Sequence, residues 1–275
     1  MNIGILGCGY VGTAVARLWH QNNHITATTT TKERVSELEQ VAQKVAVIKG
    51  DNEADIKSFA HDQDIILLSV APTRPLGADG YEETYLRTAK NLVKALQQTP
   101  TVKQLIYTGS YSVYGNKDGA WVDEESPLTP ANRNGEILAQ TEQVLMAASS
   151  PNLKVCILRL GGIYGEGREL TKIFSRAFGT TRPGNGEDFT NWIHLDDIVS
   201  AVDFAAAQQL QGIYNLVCDR PLVSRDLLDS LSQKYNLPKV LWNPSESEVR
   251  PYNARVSNQK IKAAGYKFVH PEIIV

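Results

Sequence analysis

Cysteine is scarce: Cys8, Cys156 and Cys218 lie far apart, and none belongs to a CxxC pair or a Cys/His cluster. No metal site is therefore expected, and three reduced, buried thiols in a cytosolic protein are the simplest reading. Long apolar runs are missing too, so nothing in the sequence spans a bilayer. The chain enters a strand at once, Met1-Asn2-Ile3-Gly4-Ile5-Leu6. That leaves no room for a signal or transit peptide, and a cytoplasmic location is expected. Nor is one sign of charge in excess: 28 basic and 30 acidic residues are spread without long runs of either. This argues against a nucleic-acid groove and a membrane-surface stripe. There is no internal repeat and no low-complexity segment.

What is present is enough to bury a substantial core, with 42% hydrophobic residues in 275; one large domain, alone or with a small appendage, is expected. Short apolar runs alternate with helical patterns through the first two thirds, the order that gives a parallel sheet with helices on both faces. Strands are predicted at Ile3-Leu6, His24-Thr29, Lys44-Ile48, Ile65-Val70, Gln104-Thr108, Lys154-Leu160 and Ile213-Val217. Helices with apolar residues every three or four positions are predicted at Val11-Gln21, Thr31-Gln40, Tyr81-Gln97 and Asn134-Ser149. The expected fold is α/β, a Rossmann-type doubly wound parallel sheet with a small C-terminal substrate lobe. Residues 1–164, with 192–217 returning, form the expected dinucleotide-binding domain, and 165–191 with 218–275 the lobe.

The loop Gly7-Cys8-Gly9-Tyr10-Val11-Gly12 matches G-x-G-x-x-G directly after an apolar strand and directly before a helix, the context its mechanism requires. The first glycine permits the tight turn, the second lets the backbone approach a pyrophosphate, and the third lets helix and strand pack closely. Backbone N–H groups and the positive end of the helix dipole then meet the phosphates. The bland alternative is a turn that happens to be glycine-rich. No Lys-Ser or Lys-Thr follows Gly12, which argues against a P-loop. An NAD-preferring site carries Asp or Glu about 20 residues after the loop. Here that place reads Thr28-Thr29-Thr30-Thr31-Lys32-Glu33-Arg34. Thr30, Lys32 and Arg34 can receive a 2′-phosphate that an acidic group would repel, which favours NADP over NAD. The alternative is that Lys32 and Arg34 are solvated charges on a helix that also carries Glu33 and Glu37.

Three later segments add specificity: Ile106-Tyr107-Thr108-Gly109-Ser110-Tyr111-Ser112-Val113-Tyr114-Gly115, Arg159-Leu160-Gly161-Gly162-Ile163-Tyr164-Gly165 and Asn191-Trp192-Ile193-His194-Leu195-Asp196-Asp197. With the glycine loop, they make the chain resemble the extended short-chain dehydrogenase/reductase family, its NAD-dependent epimerase/dehydratase group, over nearly its whole length. The resemblance implies that Ser110 is a substrate-contacting hydroxyl, that Asp51 lies near the adenine, and that Val70 and Ala71 lie beside the cofactor. It also implies that Leu160 and Ile163, in the segment ending at Tyr164, pass the nicotinamide. His194 and Asp197 fall on the segment returning to the sheet, where a structural histidine is the plainer reading than a proton-transfer group.

Chemistry in this family depends on a Tyr and a Lys in Y-x-x-x-K, one helical turn apart, because a phenol with a reference pKa near 10 needs a cation to ionise at neutrality. Counting from Thr129-Pro130 and back from Glu142, those positions fall on Asn134 and Leu138, and no Tyr or Lys occurs between Ala131 and Val144. This resembles the atypical branch, in which fold and cofactor site persist without the pair. Ser110, Tyr111 and Tyr114 are the catalytic candidates, with Glu136 on the helix; packing in the Val-Tyr-Gly turn is the plainer reading of Tyr114, and a surface charge near a helix start that of Glu136. Two functions stay open: an NADP-dependent oxidoreductase or epimerase/dehydratase acting on a small polar, sugar-like substrate, and a non-catalytic NADP(H)-binding sensor. A hydrolase is disfavoured, since Gly109-Ser110-Tyr111-Ser112 is not a G-x-S-x-G elbow. The sequence does not fix oligomeric state and is compatible with a homodimer.

Overall fold

The run Ile65-Ile66-Leu67-Leu68 is buried at every position, as a strand covered on both faces must be. The computed structural model describes residues 1–72, 77–246 and 251–275. Its main elements are β1 (Asn2–Leu6), α1 (Tyr10–Trp19), β2 (His24–Thr29), β3 (Lys44–Val47), α2 (Glu53–Ala60) and β4 (Ile65–Leu68). A helix α3 follows, running through Ala78–Tyr81, a π-helical stretch Glu82–Arg87 and Thr88–Leu96. Then come β5 (Gln104–Ser110), α4 (Arg133–Met146), β6 (Lys154–Leu160), α5 (Leu195–Ala207) and β7 (Gly212–Leu216).

These seven strands form one sheet in the order β7-β6-β5-β4-β1-β2-β3. It is the doubly wound parallel sheet expected from the sequence. The order reverses between β1 and β4, whose registers pair Ile3 with Ile65 and Leu6 with Leu68. In such sheets the ligand crevice lies outside the carboxyl ends of the strands at that reversal. Helix starts are fixed locally: the Asn52 side chain accepts the Ala54 and Asp55 amides ahead of α2, and Asn132 accepts Gly135 N ahead of α4. Each such cap is worth about 1 kcal/mol.

The chain divides into two compact units. The first comprises 1–110, 132–159 and 199–214. Its core includes Leu6, Ile56, Phe59, Ile66, Leu68, Leu92, Leu105 and Ile157. The second comprises 111–131, 160–198 and 215–275, built on Tyr164, Leu170, Ala177, Leu227, Leu228, Leu231 and Val240 and on a separate cluster around Tyr114, Val122, Val217 and Val256. The boundary thus differs from the expected one. Residues 111–131 join the second unit because Trp121 and Val122 pair with Arg255 and Val256, and the Lys117 and Gly119 amides donate to the Asn253 carbonyl. Residues 247–250 of the expected lobe lie outside the described residues. All three cysteines are buried, and none is in a disulfide. Among the described residues, no helix is long and apolar enough to cross a membrane.

Candidate functional site

The three glycines of the loop divide their work in a way the geometry makes explicit. Gly7 has φ +94°, and a Cβ there would come within 2.7 Å of the Ser69 carbonyl oxygen. A Cβ on Gly12 would lie 2.5 Å from the Gly7 carbonyl oxygen. Both positions therefore serve close backbone packing. A Cβ on Gly9, by contrast, meets no atom of the described residues within 4 Å. That open space sits at the N-cap of α1, where no side chain caps the helix and the first turn carries no acidic residue. First-turn amides have no acceptor within the helix, so Tyr10, Val11 and Gly12 open a helix end suited to an anion. The loop is held to β2, with Gly7 N donating to Thr28 Oγ1 at 2.9 Å and Cys8 N to the Thr28 carbonyl at 2.9 Å. Burial pushes the Cys8 thiol up to about 11, which keeps it neutral within the loop. These residues fit a dinucleotide diphosphate.

At the end of β2 the cations behave differently from one another. Arg34 turns back to the loop: Nη1 donates to the Cys8 carbonyl at 2.7 Å and Nη2 to Thr13 Oγ1 at 3.4 Å. The same guanidinium pairs with Glu37 at 2.7 Å, and that hydrogen bond holds the Glu37 carboxyl below its usual range. Lys32 and Thr30 are exposed. Asp51 is exposed on the turn before α2, and Val70 and Ala71 follow β4, half-buried and exposed respectively. The first unit thus brings the glycine loop and Arg34 into direct contact. Leu160 and Ile163 fall in the second unit, where Leu160 is buried and Ile163 pairs in register with Ile193.

Ser110 is the last residue of β5 and is half-buried, and Tyr111–Tyr114 form a single 3-10 turn. Tyr111 is half-buried, its ring edge-on to Tyr252 with centroids 6.3 Å apart. Tyr114 is fully buried and its hydroxyl donates to Asn215 Oδ1 at 2.8 Å. A phenol committed to a buried partner supports the packing reading of Tyr114.

The match to known proteins follows this geometry. Residues 3–216 match the NAD dependent epimerase/dehydratase family. The chain belongs to that family. Protein YeeZ of Escherichia coli is 29% identical over 220 residues, spanning 78% of this chain and 76% of YeeZ. A functionally unknown conserved protein from Silicibacter pomeroyi superposes with a TM-score of 0.78 at 24% identity, over 98% of this chain and 94% of that one. Human epimerase family protein SDR39U1, solved with NADPH, superposes with a TM-score of 0.79 at 17% identity, over 99% and 96%. At these identities the two solved structures attest the shared fold.

Within this epimerase/dehydratase chain, α4 presents Asn134 half-buried and Leu138 at 7% exposure. Glu136 is exposed and paired with Arg133 at 3.1 Å. One turn beyond Leu138 lies a feature the sequence reading missed: Glu142 and Arg159 form a buried ion pair at 2.7 Å, each side chain 3% exposed. Gly109 passes over it, since a Cβ there would stand 3.3 Å from Glu142 Oε1. Glu142 in a helix and Arg159 within the apolar part of a strand, Val155–Leu160, were the only signals available. A second feature was also missed. His194 is half-buried, its Nδ1 accepting the Asp196 amide at 3.2 Å, and His270 Nε2 reaches Asp196 Oδ2 at 2.9 Å. Spacing could not bring His270 to this place, 74 residues after Asp196.

Proposed function

We propose that the chain is an NADP-dependent oxidoreductase of the epimerase/dehydratase family, acting on a small polar, sugar-like substrate. The observation that carries the cofactor choice is Arg34, whose guanidinium lies on the glycine loop at the end of a strand that offers threonines instead of a carboxylate. Arg34 and Lys32 supply positive charge where a 2′-phosphate would be received, and the open helix end at Gly9 receives the diphosphate. When bound, the nicotinamide supplies the hydride acceptor or donor. Ser110 holds a substrate oxygen by hydrogen bonding, and Tyr111 is the remaining phenol that can pass a proton. With Leu138 where a lysine would stand, no cation on that helix position favours a phenolate, so turnover is slow. Positioning supports the reaction in place of strong acid/base catalysis.

Titration with NADPH and NADH tests the cofactor choice. Lys32→Glu weakens NADPH binding about tenfold or more, as expected for losing a charge-assisted contact and gaining a repulsive one, and leaves NADH within about twofold. Equal effects on both nucleotides would remove the case for NADP. Asn134 and Leu138 favour one alternative, a non-catalytic NADP(H) sensor; it predicts tight nucleotide binding with no change in nicotinamide absorbance across carbonyl and nucleotide-sugar substrates. In either reading the protein acts in the cytoplasm, which cell fractionation checks, and a homodimer is compatible with both, which light scattering checks.

A further inference from the structure

We propose that His194, Asp196 and His270 form a divalent transition-metal site that fastens the stretch 266–275 to the turn where α5 begins. One ligand atom from each side chain lies within 4.8 Å of the other two. Asp196 Oδ2 stands 2.9 Å from His270 Nε2 and 3.3 Å from His194 Nδ1. A tetrahedral zinc with bonds of about 2.0–2.1 Å places neighbouring ligand atoms about 3.4 Å apart, so small side-chain rotations complete the set. Two imidazoles and one carboxylate suit zinc, cobalt or nickel, and leave a coordination position for water.

The ligands are held in place by contacts that do not involve the ion. The His194 ring packs edge-on to Tyr164 with centroids 5.0 Å apart, and edge-on to the His270 ring at 4.2 Å. His270 is presented by its own backbone, for Asp197 accepts Val269 N at 2.6 Å and His270 N at 3.0 Å, and also the Tyr266 hydroxyl at 3.1 Å. The imidazoles are mostly covered, with 16% and 22% of their side chains exposed, whereas Asp196 is 59% exposed and gives an ion its entry. Coordination through His194 Nδ1 exchanges its bond from the Asp196 amide for a metal bond and leaves that amide to solvent. The site is independent of the nucleotide reading and lies wholly within the second unit.

The full chain, free of any histidine tag and stripped of metal, is titrated with Zn²⁺ and with Co²⁺. Expected are about one equivalent bound, a visible Co²⁺ absorption band of tetrahedral type, and a higher thermal midpoint with zinc. His270→Ala and Asp196→Asn each weaken binding about tenfold or more, on the scale of losing a metal-site contact. His61→Ala, at an exposed histidine paired with Asp62, leaves it unchanged. Absence of binding up to about 1 mM zinc would overturn the proposal, and so would unchanged affinity in both His270→Ala and Asp196→Asn.

Discussion

A methyl group at residue 9 separates cofactor binding from folding. Gly9 has a negative φ, −81°, so alanine meets no left-handed strain there, and its Cβ would enter open space. Gly9→Ala therefore leaves stability within about 0.5 kcal/mol of the parent. That same space is where a diphosphate must approach the amides of α1. Losing one charge-assisted hydrogen bond costs about 1.5–3 kcal/mol, which raises Kd by roughly 10- to 150-fold. NADPH fluorescence titration read beside a thermal melt gives both numbers. Gly12→Ala is the contrasting variant: its Cβ lies 2.5 Å from a backbone carbonyl that has nowhere to go, and overpacking of this kind costs about 1–3 kcal/mol. Nucleotide affinity of Gly9→Ala within twofold of the parent, with an unchanged melt, would refute the cradle.

Other consequences are equally direct. Glu142→Gln strands the Arg159 charge in the core and lowers the free energy of unfolding by about 3–5 kcal/mol, read from urea curves; a Glu142→Gln, Arg159→Met double variant recovers part of the loss. Burial pushes the Glu124 carboxyl up while Asn215 N donates to it at 2.7 Å. Its folded form thus holds the proton more tightly than its unfolded form, and stability is lost as pH rises through the folded value. Glu124→Gln, which keeps an acceptor for Asn215, is more stable than the parent at pH 7, and the gap closes as pH falls through the folded value towards the unfolded one, about 4.3; a gap that widens on acidification contradicts this. Tyr114→Phe leaves Asn215 Oδ1 without its donor at a cost of about 1–3 kcal/mol and does not change turnover. A large fall in turnover with an unchanged melt would restore Tyr114 to the chemistry.

The sheet was legible because strands buried on both faces are written as near-continuous apolar runs: His24–Thr29 and Lys154–Leu160 coincide with their predictions, and the other five sheet strands differ by one or two residues at their ends. Helices fared less evenly. Thr31-Gln40 was expected as one helix, but Lys32–Arg34 is a 3-10 turn followed by a short helix, Val35–Leu38, with Arg34 drawn to the Cys8 carbonyl. The helix expected at Tyr81-Gln97 begins earlier and contains a π-helical stretch. No periodicity reveals such an insertion. The segment read as returning to the sheet is α5, whose buried Ile198, Ala201, Val202 and Ala205 give a weak apolar signal because two of the four are alanine. In the candidate site, the glycine loop could be read because its chemistry is local. The Tyr114–Asn215 bond closes across 101 residues, and the His194–Asp196–His270 cluster also needs the folded chain.

Asp197 has a consequence for how the protein can be cut. Fully buried, it receives the Tyr266 hydroxyl and two successive amides, from Val269 and His270. Trimming after residue 265 would take away all three donors and uncover a carboxylate in an apolar setting. Those ten positions are therefore a keystone, and a protease that nicks them is expected to unravel the second unit, to which they and Asp197 both belong, instead of merely shortening it.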